Sequence, residues 1–383
     1  MNASTNGAGV TDHPSIRLRL IGESLDFAWA LRLGCSTMLA AVAQEIAALV
    51  SDYRQEEVPQ ITDARVLEWT EDVASICVWL DDDSKVILLE ALGDALKVGY
   101  WSRNRIRLTV DEIDTAQFWQ DAPPLVDGAW RWLDLQGSAS SQSALIGLLD
   151  DPIASASGDN RHFVYLDDGL FSGGTVRREV GAWISQEAHR GTRLLVAHLA
   201  GHCDRVQSAR NDLLILAKEY GVDLRMIAAS HFAEPDYESP PGIKTRSVFG
   251  MCLKPDQFTY DRSDACATYR ERFGWRHRNV RLIDCDDPIT CERVFRSIEH
   301  REVLTRAFLE VGCKMMMWTK NPKAAMRPLG YTNDSSFGLG AMMATFHNCP
   351  NTAPLALWWG DAAMPSWTPL SRWSPLLPRR PAP

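Results

Sequence analysis

Between residues 36 and 101 apolar side chains recur every three or four positions, the period of a helix with one buried face. STMLAAVAQEIAALVSDY, DARVLEWTEDVASICVWL and DSKVILLEALGDALKVGYW all show it, with Ser36, Asp63 and Asp83 as candidate N-caps. SRNRIRLTVDEI departs from that period. Its Arg103, Arg105 and Arg107 alternate, which predicts a strand carrying all three on one face, either solvated or turned toward a phosphate. The pattern divides this part of the chain into a polar, disordered tail over 1–14 and a mainly helical region over 15–128 that packs on a sheet.

From residue 129 to 232 the period switches repeatedly. WRWLDLQ reads as a strand, GSASSQ as a loop of small residues and SALIGLLDD as a short helix. FVYLDD is an apolar run ending in two acids, GLFSGGT a loop, and VRREVGAWISQEAHR an amphipathic helix. TRLLVAHLA, DRVQSARNDLLILAKEY and VDLRMIAAS continue as strand, helix and strand. Such alternation implies βαβ units, hence an α/β fold with a parallel sheet whose strands end at one edge. Residues 233–383 form a C-terminal elaboration on that core. It has a Pro- and Ser-containing loop, one or two helices before Cys313, and a buried strand or helix edge at Lys314 and its three methionines. AMMATFHNCPNTAPLALWWG reads as two strands joined by a turn at Asn348–Asn351, with Trp358 and Trp359 in the core.

Composition narrows the classes. With 40 Lys and Arg against 49 Asp and Glu, the net charge is −9, which argues against a general nucleic-acid surface but not against small anions held by backbone amides. Nine scattered cysteines without a C-x-x-C pair argue against a disulfide framework. Cys266, His277, Cys285 and Cys291 match no compact zinc spacing. The N-terminus lacks the apolar core of a signal peptide and no apolar stretch is long enough for a bilayer, so the expectation is a cytoplasmic protein with no membrane association.

The candidate chemistry sits at FVYLDDGLFSGGT. An apolar strand delivers Asp167 and Asp168 to the sheet edge, where carboxylates can accept from vicinal hydroxyls or hold a divalent cation through water. Gly169, Gly173 and Gly174 let a ligand approach the main chain, and Ser172 and Thr175 add hydroxyls. The helix that follows presents its unpaired N-terminal amides to the same place, which suits phosphate. Together these describe a receptor for ribose 5-phosphate. His198 and His202 end a neighbouring strand, for capping and packing or for acid–base work.

LDDGLFSGGT resembles the phosphoribosyl pyrophosphate (PRPP) motif of the type I phosphoribosyltransferases: two acids, three residues, then Ser/Thr-Gly-x-Thr. The resemblance implies that Asp167 and Asp168 meet the ribose hydroxyls, with Mg2+ as cofactor, and that Gly169, Leu170, Phe171, Ser172, Gly173, Gly174 and Thr175 wrap the 5'-phosphate. The loop Gly137–Gln142, with Gly137 and Ser138, is placed like the family's pyrophosphate loop. The tail, with NCPNT and a Trp-rich end, resembles a phosphoribosyltransferase-like domain of bacterial conflict (antiviral defence) systems. Two features depart from the family. Only a short helix and IASASGDNRH separate Gln142 from Phe163, so the catalytic loop is missing, shortened to Ala154–Arg161 or supplied from elsewhere, and no base-recognition segment is identifiable. The implied function is binding of PRPP or a nucleotide, with action at the ribose anomeric carbon in a defence system. The alternative is a non-catalytic nucleotide sensor or regulatory subunit with a protein partner from such a system.

Overall fold

The computed structural model describes residues 35–125, 130–137, 140–149, 161–232, 248–249, 252–255, 263–274, 294–332, 336–360 and 368–379. Four helices come first: α1 over 35–49, α2 Asp63–Ile76, α3 Asp82–Gly99 and α4 Arg103–Asp111. Ser36 already lies inside α1, and the caps of α2 and α3 are Thr62 and Asp81 rather than Asp63 and Asp83. Each accepts from the amide three residues on, while Asp63, Asp82 and Asp83 sit in the first turns, where a negative charge meets the helix dipole.

The strand expected over Arg103–Arg107 is α4. Ser102 caps it by accepting from Arg105 N, and Ile106 and Val110, four apart, provide its buried stripe. The three arginines therefore do not share a face. Arg103 lies over the Phe346 ring, Arg105 over Trp101, and Arg107 donates to the Leu148 carbonyl. Partner aromatics and helix packing override the alternation.

The central sheet is parallel throughout, with strands β2 (Arg131–Trp132), β3 (His162–Leu170), β4 (Arg193–His202), β5 (Asp223–Phe232) and β6 (Val248–Phe249) adjacent in chain order. Helix α5 (Ser141–Leu148) precedes β3, α6 (Gly174–Gln186) links β3 to β4, and α7 (Cys203–Tyr220) links β4 to β5. Alternation along β3 divides the core. Phe163 and Tyr165 face a cluster with α6 and α7, whereas Val164 and Leu166 join a larger one reaching from α1 to Leu377. In that larger cluster the N-terminal helices and the C-terminal segments form one layer. Its axis is the 21-residue helix α9 (Ile298–Trp318), which contains Lys314 and the three methionines and packs on α3 and on α8 (Asp264–Phe273).

A second, two-stranded parallel sheet pairs β1 (Tyr100–Trp101) with β7 (Ala344–Thr345). Phe346 N bonds the Trp101 carbonyl and Arg54 N bonds that of Phe346, so the N-terminal layer holds the tail in place. The hairpin expected in the tail is not formed. After β7 the chain turns at Thr345–Asn348 and continues into a short helix, α10 (Leu355–Trp358), whose four residues are all buried. Trp358 is buried and Trp359 packs against the same core. No helix among the described residues is long and apolar enough to cross a membrane.

Candidate functional site

Strand β3 runs two residues beyond the acids, so Gly169 and Leu170 belong to the sheet rather than to the loop. Their backbones pair with Ala200 and Gly201 of β4. A Cβ on Gly169 would meet Phe171 Cε2 at 2.4 Å, so glycine lets the phenyl ring fold back over the strand end. The turn itself is Phe171–Gly173. Gly173 adopts φ 73°, in the left-handed region, and occupies the N-cap of α6 with no side-chain cap bond. Ser172 Oγ accepts from Gly174 N at 3.3 Å, and the first-turn amides of α6 remain at the mouth of the turn. Arg177 braces this geometry from behind. Its Nη1 donates to the Ser172 carbonyl at 3.1 Å, while Nε and Nη2 reach Asp212 and Ser208 of α7 at 2.6 and 2.7 Å.

The two acids have different surroundings. Asp167 lines a cavity of about 850 Å3 and accepts from Gln136 Nε2 at 2.7 Å, Tyr165 Oη at 3.0 Å and Ser141 Oγ at 3.3 Å. Asp168 lies beneath it, outside the cavity lining, and its Oδ2 accepts from Asn348 Nδ2 of the tail at 3.1 Å. Burial, reinforced by the neighbouring Asp167 charge, pushes the Asp168 carboxyl up to about 7, and the bonds from Asn348 and Gly169 only partly offset this. Asp168 therefore keeps its proton up to near-neutral pH. His198, paired with Asp167 across the sheet, also lines the cavity, and burial lowers its pKa to about 4, so its imidazole is neutral.

The remaining predicted residues divide between the cavity and its surroundings. Gly169, Leu170, Phe171, Ser172, Gly173 and Thr175 line it, whereas Gly174 and Gly137 do not. Ser138 and most of Ala154–Arg161 lie outside the described residues, as do His277, Cys285 and Cys291. His202 holds the N-cap position of α7, makes no side-chain cap bond there, and lines the cavity. No group of three potential metal ligands occurs among the described residues. The adjacent Asp167 and Asp168 carboxylates carry no ion pair with a described basic side chain. Only Asp167 of the two faces the cavity, so a divalent cation there would meet one protein carboxylate directly and would depend on water and ligand oxygens for the rest of its shell.

The opposite wall comes from the C-terminal region. Lys254, Tyr331, Thr332, Ser336, Asn351 and Thr352 line the same cavity as the loop, although more than 75 residues separate each from Thr175. Glycines let this wall close. A Cβ on Gly340 (φ 66°) would lie 2.2 Å from the Leu253 carbonyl oxygen, and one on Gly330 (φ 98°) 2.3 Å from that of Thr352. The PRTase-CE family model matches residues 81–379, from the start of α3 to the last described residue. The chain belongs to the PRTase-CE family. That family is phosphoribosyltransferase-like, and the match spans both the PRPP-like loop and the wall that faces it. No curated protein and no solved structure matches the chain.

Sequence reasoning missed the whole C-terminal wall, together with the exposed Arg205 at the start of α7. Asn348 and Asn351 were visible as turn formers, a role that Asn348 does play, and as part of the NCPNT resemblance, but not as residues of the site. Lys254 lies in a four-residue described segment whose backbone bonds Gly340, and nothing in its local sequence signals a cavity.

Proposed function

We propose that the cavity receives the ribose 5-phosphate portion of PRPP or of a nucleotide. The observation that carries this reading is that Asp167 lines one cavity with Ser172, Gly173 and Thr175, where α6 starts without a side-chain cap from Gly173. Asp167, already oriented by Gln136 and Tyr165, would accept from a ribose hydroxyl, and the first-turn amides with Thr175 would hold the phosphate. Mg2+ bound by the Asp167–Asp168 pair, largely through water, would neutralise phosphate charge. The reaction would be cleavage at the anomeric carbon through an oxocarbenium-like state, promoted chiefly by positioning. The setting would be a bacterial antiviral defence system, in the cytoplasm and with a protein partner from that system, a reading supported by the resemblance of the tail.

One observation favours a second reading, a nucleotide sensor without turnover. Only residues 149–161 separate α5 from β3, which leaves no room for a strand pair and a long catalytic loop. Calorimetric titration with PRPP, ribose 5-phosphate, ATP, GTP and NAD, with and without Mg2+, followed by assay of released base and pyrophosphate, decides between the two. Release of base or pyrophosphate supports the enzyme, and binding without release supports the sensor. Absence of binding by every ligand, or unchanged binding in Thr175→Ala and Asp167→Asn, refutes the pocket.

A further inference from the structure

Three side chains on the C-terminal wall hold polar groups that bond to nothing among the described residues: the Tyr331 hydroxyl, the Asn351 carboxamide and the Thr352 hydroxyl. Thr352 is only 8 % exposed, and a hydroxyl buried without a partner is costly, so a ligand group that bonded it would be stabilised there. The three groups are also fixed relative to one another. Tyr331 N donates to the Asn351 carbonyl at 2.8 Å, and Ala341 N to that of Thr352 at 3.1 Å. The close approach of Gly330 to Thr352 presses these segments together. Donors and acceptors held this way lose little freedom on binding.

Their chemistry differs from that of the phosphate side. Apart from Lys254, whose amine donates to the Gly338 carbonyl at 3.3 Å, no residue that the C-terminal region gives the cavity carries a charge. A carboxamide offers one donor and one acceptor in a single plane, the complement of a nucleobase edge, and a tyrosine ring offers a flat apolar face. A second phosphate would instead require amides or several cations. We propose that this wall receives a nucleobase read by Asn351, so that the ligand class is a ribonucleoside 5'-phosphate rather than PRPP. This rests on the ribose 5-phosphate reading of the opposite side.

The test is calorimetry on the full chain with ribose 5-phosphate, PRPP, AMP, GMP, CMP and UMP. At least one nucleotide is expected to bind about tenfold or more tighter than ribose 5-phosphate, the gain a matched carboxamide–base pair supplies. Asn351→Asp exchanges the donor for an acceptor at constant size and is expected to change the rank order of the four nucleotides. Asn351→Ala is expected to bring the nucleotide-to-sugar affinity ratio towards one. Both variants keep the backbone bond from Tyr331, and an unchanged melting temperature verifies folding. The proposal is overturned if the wild type binds ribose 5-phosphate but all four nucleotides fall within twofold of it. It is equally overturned if PRPP binds tightest, or if a folded Asn351 variant keeps the wild-type order and ratio. If ribose 5-phosphate and every nucleotide fail to bind, the reading of the opposite side falls as well, which separates the two failures.

Discussion

Replacing Asp168 by Asn should stabilise the protein at high pH while removing a group of the proposed site. The buried Asp168 carboxyl titrates near 7 instead of its ordinary 3.8, so the folded state binds its proton more tightly than the unfolded chain does. Its contribution to stability is therefore fully present below about pH 4 and lost as the pH rises through about 7. At about 1.4 kcal/mol per pH step, keeping the ionised carboxyl in the fold at pH 8 costs on the order of 4 kcal/mol. An amide of the same shape carries no such cost. Its oxygen can still accept from Asn348 Nδ2, and its NH2 faces Asp167 as a donor instead of a like charge. Chemical denaturation of the wild type and Asp168→Asn from pH 4 to 8 checks this. The variant should gain steadily over the wild type as the pH rises, approaching that full difference at pH 8. A stability difference that is flat across the range, or a variant less stable at pH 8, would refute the reasoning.

Asn348→Ala should shift the Asp168 titration further upward, because it deletes the side-chain donor that favours the ionised form; the stability–pH profile of the variant reports the shift. Gly330→Ala combines a φ of 98° with a Cβ 2.3 Å from the Thr352 carbonyl oxygen, so thermal melting should show a loss on the order of 3 kcal/mol. Gly173→Ala, where the nearest obstruction is a side-chain nitrogen of Arg177 rather than backbone, should cost less, roughly 1–2 kcal/mol, and should weaken ribose 5-phosphate binding in calorimetry. Arg177→Ala should weaken the same binding although Arg177 does not line the cavity, since it ties the Ser172 carbonyl to Asp212 and Ser208 of α7.

The parallel sheet was legible because β3 and β4 are apolar runs each followed by an amphipathic helix. What misled was local pattern competing with tertiary partners. Alternating arginines resemble a strand face, yet Trp101, Phe346 and the Leu148 carbonyl supply a separate partner for each of them along a helix. The apolar continuity of PLALWW in the tail resembles a strand, yet α10 is buried within the helical layer, where period alone cannot separate short helix from strand. The acids ended β3 in the sequence pattern because Gly169 reads as a breaker, but here glycine continues the ladder and makes room for Phe171.

The site itself was half legible, and the half that was missed explains the half that was found. A strand, two acids and a glycine turn are contiguous in sequence, so their chemistry can be read from one segment. Asp168 as read there is one of two equivalent acids; in the fold it is the point where the sheet meets the tail, 180 residues away, through Asn348. That contact is set by the β1–β7 pairing and the Thr345–Asn348 turn, which in turn rest on the N-terminal layer through Trp101 and Arg54. The protonation of Asp168 thus depends on the seating of a C-terminal turn that also leads directly to Asn351 and Thr352. Any ligand that bridges the phosphate loop and this wall would press on the same turn, so its occupancy and the charge at Asp168 should be linked. Proton uptake or release on binding, measured by calorimetry in buffers of different ionisation enthalpy near pH 7, should differ from zero in the wild type. It should vanish in Asp168→Asn, and equal uptake or release in the two proteins would show that the turn and the acid are uncoupled.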